Sequence, residues 1–568
     1  MKNILSILKL SKPNYAIISL WSCALVYVIF AIIGAIRYYS AVPLGDTYAL
    51  SEFSRLIADG DFTSFWEQHN EHRIVLTRLL FWIDNVAFGS ANIFLICANY
   101  LCAFSAFVVF FLYAREHLEK REANIVGALI LILVFFWSQQ ENLTWEFQSQ
   151  FFLAQLLPLL AFYLLHRSHQ TNSVRLFIAA CCVGVLSLGG MANGILALPL
   201  LTLLALSLRM KPKFIISCAI LSAFTLSAYF HNYHANPRHG SMINALLYDP
   251  MGLFKFITSY LGNPLRYFGR TVPRIAGFFM IISSAYLVLD FIRNPKHYSS
   301  LQLSLLAFVI YVEITAAGTA GGRLIFGIGQ SFTGRYTTPT LMAWSALLII
   351  FAPYLTAKKF RQKISYLTIL AVILPIALLP KQLEALKSHR KENFERTIAA
   401  LAIKIGVKDE QSISVVCPGT EVSLVVNSLK TATEANWGIF GKALYRDAAQ
   451  SIGTQEPEYP TDTCLGNVEE VSRIANDTRY FRIKGWLFDD HESSIPKSIR
   501  ILDTSGEVVG YALTGQRRKE IAERIGKKAA MKSGFSGFFL AKALHDKVIL
   551  KGLNPDCELE IPLSPLKE

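Results

Sequence analysis

The stretch "FWEQHNEHRIVLTRLLFWID", Phe65 to Asp84, sets Glu71, His72 and Arg73 side by side, with His69 two residues earlier. A carboxylate or imidazole can take up a proton, and a guanidinium can hold an anion. Three more stretches carry the same chemistry. They are "PLGDTYALSEF" with Asp46 and Glu52, "WSQQENLTWEFQSQFF" with Glu141, Asn142, Trp145, Glu146 and Gln148, and "GGRLIFGIGQSFTGRY" with Arg323, Gln330, Arg335 and Tyr336. Each also has a plainer reading. Arg73 can snorkel to lipid headgroups, Glu141 and Glu146 can be solvated loop acids, and Arg335-Tyr336 can anchor a helix at the interface. Against the plainer readings stands the grouping of acids, arginines and aromatics on separate segments, as a pocket between helices requires.

The elements that must position these residues are membrane helices. The 568-residue chain is 53% apolar and 17% charged, which is not the balance of an ordinary soluble domain. Eleven apolar runs read as spans, at 15–36, 91–114, 124–138, 148–166, 176–189, 194–208, 214–231, 272–292, 300–319, 338–356 and 364–380. The run 176–208 is too long for one helix, and Gly189-Gly190-Met191-Ala192-Asn193-Gly194 splits it into a hairpin. With the N-terminus inside, the inner segments hold nearly all of the +14 net charge, from Lys2, Lys9 and Lys12 to Lys358–Lys363. The basic balance therefore expresses topology and gives no support to nucleic-acid binding. The first span is too long, and too poor in a small-residue cleavage site, to be a removable signal peptide.

An odd number of spans places the region after 380 outside, in the periplasm of a bacterium. The expected organisation is a membrane domain at 1–380, a helical and mixed connector at 381–465 and a β domain at 466–568. Alternation in "RYFRIKGWLFDD" and "KSIRILDTSGEVVGYAL" predicts a small β-sandwich, in which Trp486 and Tyr511 are core or sugar-stacking residues. A Cys417–Cys464 disulfide is possible there, with Cys557 left over. Inner loops are short and contain no GxxxxGK[ST] run, so ATP or a nucleotide sugar is not the expected substrate. No CxxC or His-x-x-x-His spacing suggests a metal site.

Over 1–380 the chain resembles the C-type (GT-C) integral-membrane glycosyltransferases, which use a polyprenyl-phosphate sugar as donor. The resemblance lies in the multi-span organisation, the inside N-terminus and a long first outer loop with an acid, Asp46 in "GDTYALSEF", soon after the first span. "NEHR", "WEFQSQFF" and the outer "GWLFD…GEVVGYAL" pattern are similar to stretches of bacterial members. The Asp-x-Asp of metal-dependent relatives is absent from the first outer loop, so a divalent metal is possible but not indicated.

The resemblance implies a sugar moved from a lipid phosphate to a cell-surface glycan or lipid-linked acceptor, such as lipopolysaccharide or O-antigen, at the outer face of the inner membrane. Asp46 is the expected catalytic base, and Glu71, also placed at the catalytic site, is expected to orient His72 and Arg73 or to contact sugar. His72, Arg73, Arg323 and Arg335 are expected to hold the donor phosphate, and Glu52, Glu141, Trp145, Glu146, Gln148 and Tyr336 to contact sugar or acceptor. A polysaccharide polymerase or ligase remains open, because it also handles lipid-linked sugars outside. So does a flippase or transporter, for which Glu313 inside the ninth span is the main support.

Overall fold

The computed structural model describes residues 15–356, 365–457, 461–544 and 547–562. The basic inner segments expected at Lys2–Lys12 and Lys358–Lys363 lie outside the described residues. The chain forms two compact units. One comprises Met1–Ile36, Phe65–Leu80 and Leu95–Lys387, and the other Arg37–Ser64, Phe81–Phe94 and Ser388–Glu568.

The first unit is helical. Nine of the described helices, from Tyr15–Tyr38 to Tyr366–Leu386, are long and apolar enough to cross a membrane. Two shorter apolar helices, Val174–Gly189 and Ala192–Ser207, lie where the sequence places its hairpin. Lipid tails are as apolar as leucine, so close packing and buried hydrogen bonds must hold such helices together. Both operate around Trp137, which is fully buried. A Cβ on Gly34 would stand 2.3 Å from its ring, so only glycine lets the first span approach. Gln382 ties the same region: its Oε1 accepts the Trp137 N–H at 2.8 Å and its Nε2 donates to the Tyr27 carbonyl at 2.8 Å. Ser299 opens the helix Ser300–Arg323 with a capping box, in which Gln302 reciprocates.

The second unit contains the helix Arg390–Lys404, which buries the run Ile398–Ile403, and a sheet. The eight strands are β1 (Asp462–Thr463), β2 (Leu465–Arg473), β3 (Tyr480–Phe488), β4 (Ser498–Leu502), β5 (Val508–Gln516), β6 (Gly534–Leu540), β7 (Lys547–Leu553) and β8 (Cys557–Pro562). They form one continuous curled sheet in the order β1-β8-β7-β4-β5-β6-β3-β2, where the sequence suggests a sandwich. Trp486 and Tyr511 are buried among its core residues. Arg482 and Asp409 make a buried ion pair at 2.6 Å that joins the sheet to the connector.

The disulfide differs from the expected pairing. It joins Cys464 to Cys557, with Cα atoms 5.2 Å apart. The parallel pairing of β1 with β8 puts Asp462 opposite Cys557, so Cys464 arrives beside it. Cys417 is buried in the connector, with its sulfur 3.9 Å from the Gly45 carbonyl, and is a free thiol.

Candidate functional site

The opening stretch folds as a tight turn. His69 and His72 exchange backbone hydrogen bonds of 2.7 and 2.9 Å. Asn70 takes a left-handed φ of 52°, which asparagine tolerates better than most residues. Ile74 is fully buried behind the turn, and the helix Val75–Phe88 follows. The turn thereby presents Glu71 and His72 to three other elements.

The Glu71 carboxylate is the centre of the cluster. Its Oε1 accepts from Arg323 Nη2 at 2.8 Å, and its Oε2 lies 3.2 Å from His239 Nδ1. His72 Nε2 is 3.6 Å from Oε1. Arg323 is the last residue of its helix, and the Gly240 N–H bond to the Gly322 carbonyl, 2.9 Å, fixes the His239 loop over that helix end. His72 Nδ1 accepts the Ala192 N–H at 3.1 Å, so the glycine-rich break in the 176–208 run supplies a donor to the site. Gly194 shapes the break, since a Cβ there would stand 1.8 Å from the Ser187 carbonyl oxygen. Asn193, in the same break, keeps a buried Oδ1 without a hydrogen-bond partner among the described residues.

Electrostatics assign the protonation states. Burial depresses the His72 imidazole to about 4, more than Glu71 raises it, so His72 is neutral at pH 7. Its Nδ1 accepts, so its proton sits on Nε2, facing Glu71. Burial pushes the Glu71 carboxyl up, but the neighbouring His72 and the hydrogen-bonded Arg323 outweigh it and hold it below the usual carboxylate range. The site is an ionised carboxylate fixed by one guanidinium and flanked by imidazoles.

Arg73 is engaged by three backbone carbonyls. Its Nε donates to the Tyr229 carbonyl at 3.0 Å, Nη1 to Trp66 at 2.6 Å and Nη2 to His231 at 2.7 Å. Tyr229 and His231 flank the C-terminus of the helix Pro212–Phe230, whose last carbonyls lack intrahelical donors. Arg73 is a buried staple on that helix end, and its fork is occupied.

A second polar group surrounds the start of the helix Thr337–Thr356. Glu141 Oε2 accepts the Arg335 N–H at 3.0 Å, and Asn142 Nδ2 donates to the Arg335 carbonyl at 2.9 Å. Both residues therefore fix the Arg335 backbone. The Arg335 side chain lies 5.9 Å over the Tyr336 ring, and its buried Nε has no hydrogen-bond partner among the described residues. Tyr336 is buried against Tyr260, ring centroids 4.7 Å apart. Trp145 packs on Phe147 at 5.9 Å, Glu146 is buried, and Gln148 is buried with its Oε1 unpartnered among the described residues. Arg266, which the sequence reading passed over, bonds Asn263, Thr337 and the Ser138 carbonyl, each at 2.6 Å.

Beside this group lies an apolar cavity of about 680 Å³, lined by Phe136, Leu265, Phe279, Trp344, Phe351 and Leu378 among others. It runs along the helices Thr271–Arg293, Thr337–Thr356 and Tyr366–Leu383. Leu265, in its wall, directly precedes Arg266 in the chain.

Asp46 and Glu52 belong to the other unit. Asp46 is exposed in the turn Gly45–Ala49, whose Gly45 N–H bonds the Val416 carbonyl at 2.8 Å. Glu52 is exposed and paired with Arg55 at 2.6 Å. Among the described residues no group of three or more His, Cys, Asp or Glu is arranged to hold a metal ion. His239 and the Ala192 N–H have no signal in the sequence, because a lone histidine and a backbone donor form no pattern. No protein-family model matches the chain, and no curated protein matches it.

Proposed function

We propose that this chain is a membrane glycosyltransferase that moves a sugar from a polyprenyl phosphate to a cell-surface glycan or lipid-linked acceptor at the outer face of the bacterial inner membrane. The observation that carries the reading is Glu71, an ionised carboxylate held by Arg323 and His239 where helices end. An acceptor hydroxyl attacks the anomeric carbon, and its proton passes to Glu71. The bond from that carbon to the phosphate oxygen breaks, and the electron pair leaves with the phosphate. The departing sugar carries oxocarbenium character, so the proton moves late and a carboxylate of low basicity suffices.

The leaving phosphate needs fixed positive charge rather than an acid. Arg323 gives one Nη to Glu71, and the rest of its fork is available to a phosphate oxygen, which would set base and leaving group on one guanidinium. Arg335, with its unpartnered Nε, is the second cation, and the neighbouring apolar cavity suits a hydrocarbon chain. Eleven crossings with the C-terminal unit outside accompany this reading. The Cys464–Cys557 disulfide supports it, because such bonds persist in oxidising compartments.

The test uses purified protein in detergent with a short-chain polyprenyl-phosphate sugar. Glu71→Gln should lose at least about 100-fold in turnover. Asp46→Asn, assayed in parallel, decides the role of the other carboxylate expected from the sequence.

A further inference from the structure

A second pocket lies wholly within the unit of the sheet. Its cavity of about 70 Å³ is lined by Ser51, Asp84, Asn85, Asn92, Trp437 and Phe440, among others. Two of these are buried polar side chains with unmet hydrogen bonds. Asp84 is 1% exposed and Asn92 3% exposed, and neither Asp84 Oδ1 nor Asn92 Nδ2 has a partner among the described residues. The pair is built rather than incidental. Asp84 Oδ2 accepts the Asn92 N–H at 3.2 Å, which holds Asn92 at a left-handed φ of 65°. Ser90 Oγ donates to Asn85 Oδ1 at 3.0 Å, which turns the Asn85 NH₂ away from that bond. Gly438 packs directly on Ser90, where a Cβ would stand 3.1 Å from the Ser90 carbonyl oxygen, and so brings Trp437 to the wall.

The lining restricts the ligand. Among the described residues no lysine or arginine lines the pocket and a carboxyl does, so a phosphate or sulfate is repelled. One carboxyl beside two amide donors makes a poor cation site. Burial also raises the Asp84 carboxyl above its ordinary range, against the pull of the Asn92 N–H, which further disfavours pairing with a cation. An unmet acceptor next to an unmet donor fits hydroxyl groups, which both give and take hydrogen bonds. Phe81, Trp437 and Phe440 offer apolar faces to C–H groups. We infer that this pocket is a carbohydrate-binding subsite that takes the hydroxyl-bearing edge of one neutral sugar unit through Asp84 and Asn92, with Trp437 against the ring. It is independent of the Glu71 chemistry and of any lipid carrier.

Saturation-transfer NMR on the full chain in a non-glycosidic detergent tests it. The probes are the methyl glycosides of glucose, galactose and mannose, and free N-acetylglucosamine. At least one should show transfer and change the tryptophan fluorescence. Asp84→Asn and Asn92→Ala should each weaken its binding at least about tenfold, the scale of a lost hydrogen bond at a buried site, and the exposed Lys391→Ala should bind as wild type. Trp437→Phe keeps an aromatic wall and decides the matter if the buried variants do not fold. It should bind several-fold more weakly and lose the fluorescence change. Absence of transfer from all four sugars to the wild type would overturn the inference, as would undiminished binding by the variants. Either result would mean that the pocket holds water alone.

Discussion

Arg73, Arg335 and His72 have separable roles. Arg73 serves three carbonyls, whereas the Arg335 Nε has no hydrogen-bond partner among the described residues. Arg73→Lys keeps the charge but loses the planar fork that spans three carbonyls, so thermal unfolding in detergent should show a loss of about 2 kcal/mol from the carbonyls left unmet. Arg335→Lys should leave unfolding unchanged and weaken donor use about tenfold, read in KM, the scale of one lost charge-assisted hydrogen bond. The converse pattern would exchange their roles. His72 gives a pH signature. Its folded-state value, about 4, lies below its ordinary 6.5, so the unfolded chain binds the proton first. The contribution is complete above pH 6.5 and is lost as pH falls toward 4. Stability should therefore decline across that window, and His72→Gln should flatten the decline. An unaltered pH curve in the variant would contradict a neutral buried His72. The sequence made Glu71, His72 and Arg323 visible as candidates. It could not show that Arg73 faces inward, because adjacent residues in a turn point to opposite sides.

The break between Val174–Gly189 and Ala192–Ser207 was legible from its glycines. Its function was not, since what it offers the site is the Ala192 N–H, and a backbone donor has no letter in the sequence. Gly194→Ala should force the break open, because its Cβ would meet the Ser187 carbonyl oxygen. A destabilisation of about 1–3 kcal/mol is expected from such overpacking, together with reduced activity as His72 loses its anchor. Wild-type unfolding and activity would show that the break tolerates the methyl group. In the sheet, period-2 alternation made strands visible, but strand order was not. The Cys464–Cys557 pairing follows from β1 lying beside β8, a relation between residues far apart in sequence.

At the scale of the molecule, composition and apolar runs sufficed for a multi-pass membrane protein that carries a C-terminal β domain. The interleaving of the segment that follows the first span, with 37–64 and 81–94 in the unit of the sheet and 65–80 in the unit of the spans, was not legible. It arises from tertiary contacts such as the Gly45 N–H on the Val416 carbonyl. An alkaline phosphatase fused after Pro380 should be active, because the proposed topology puts that point outside. An inactive fusion, with an active cytoplasmic reporter at the same place, would contradict the eleven-crossing count. The central claim concerns Glu71, and its most direct test is the single-turnover rate of sugar transfer by Glu71→Gln from a short-chain polyprenyl-phosphate sugar. The account predicts a fall of at least about 100-fold with normal folding and donor binding. A wild-type rate from a folded Glu71→Gln protein would contradict it.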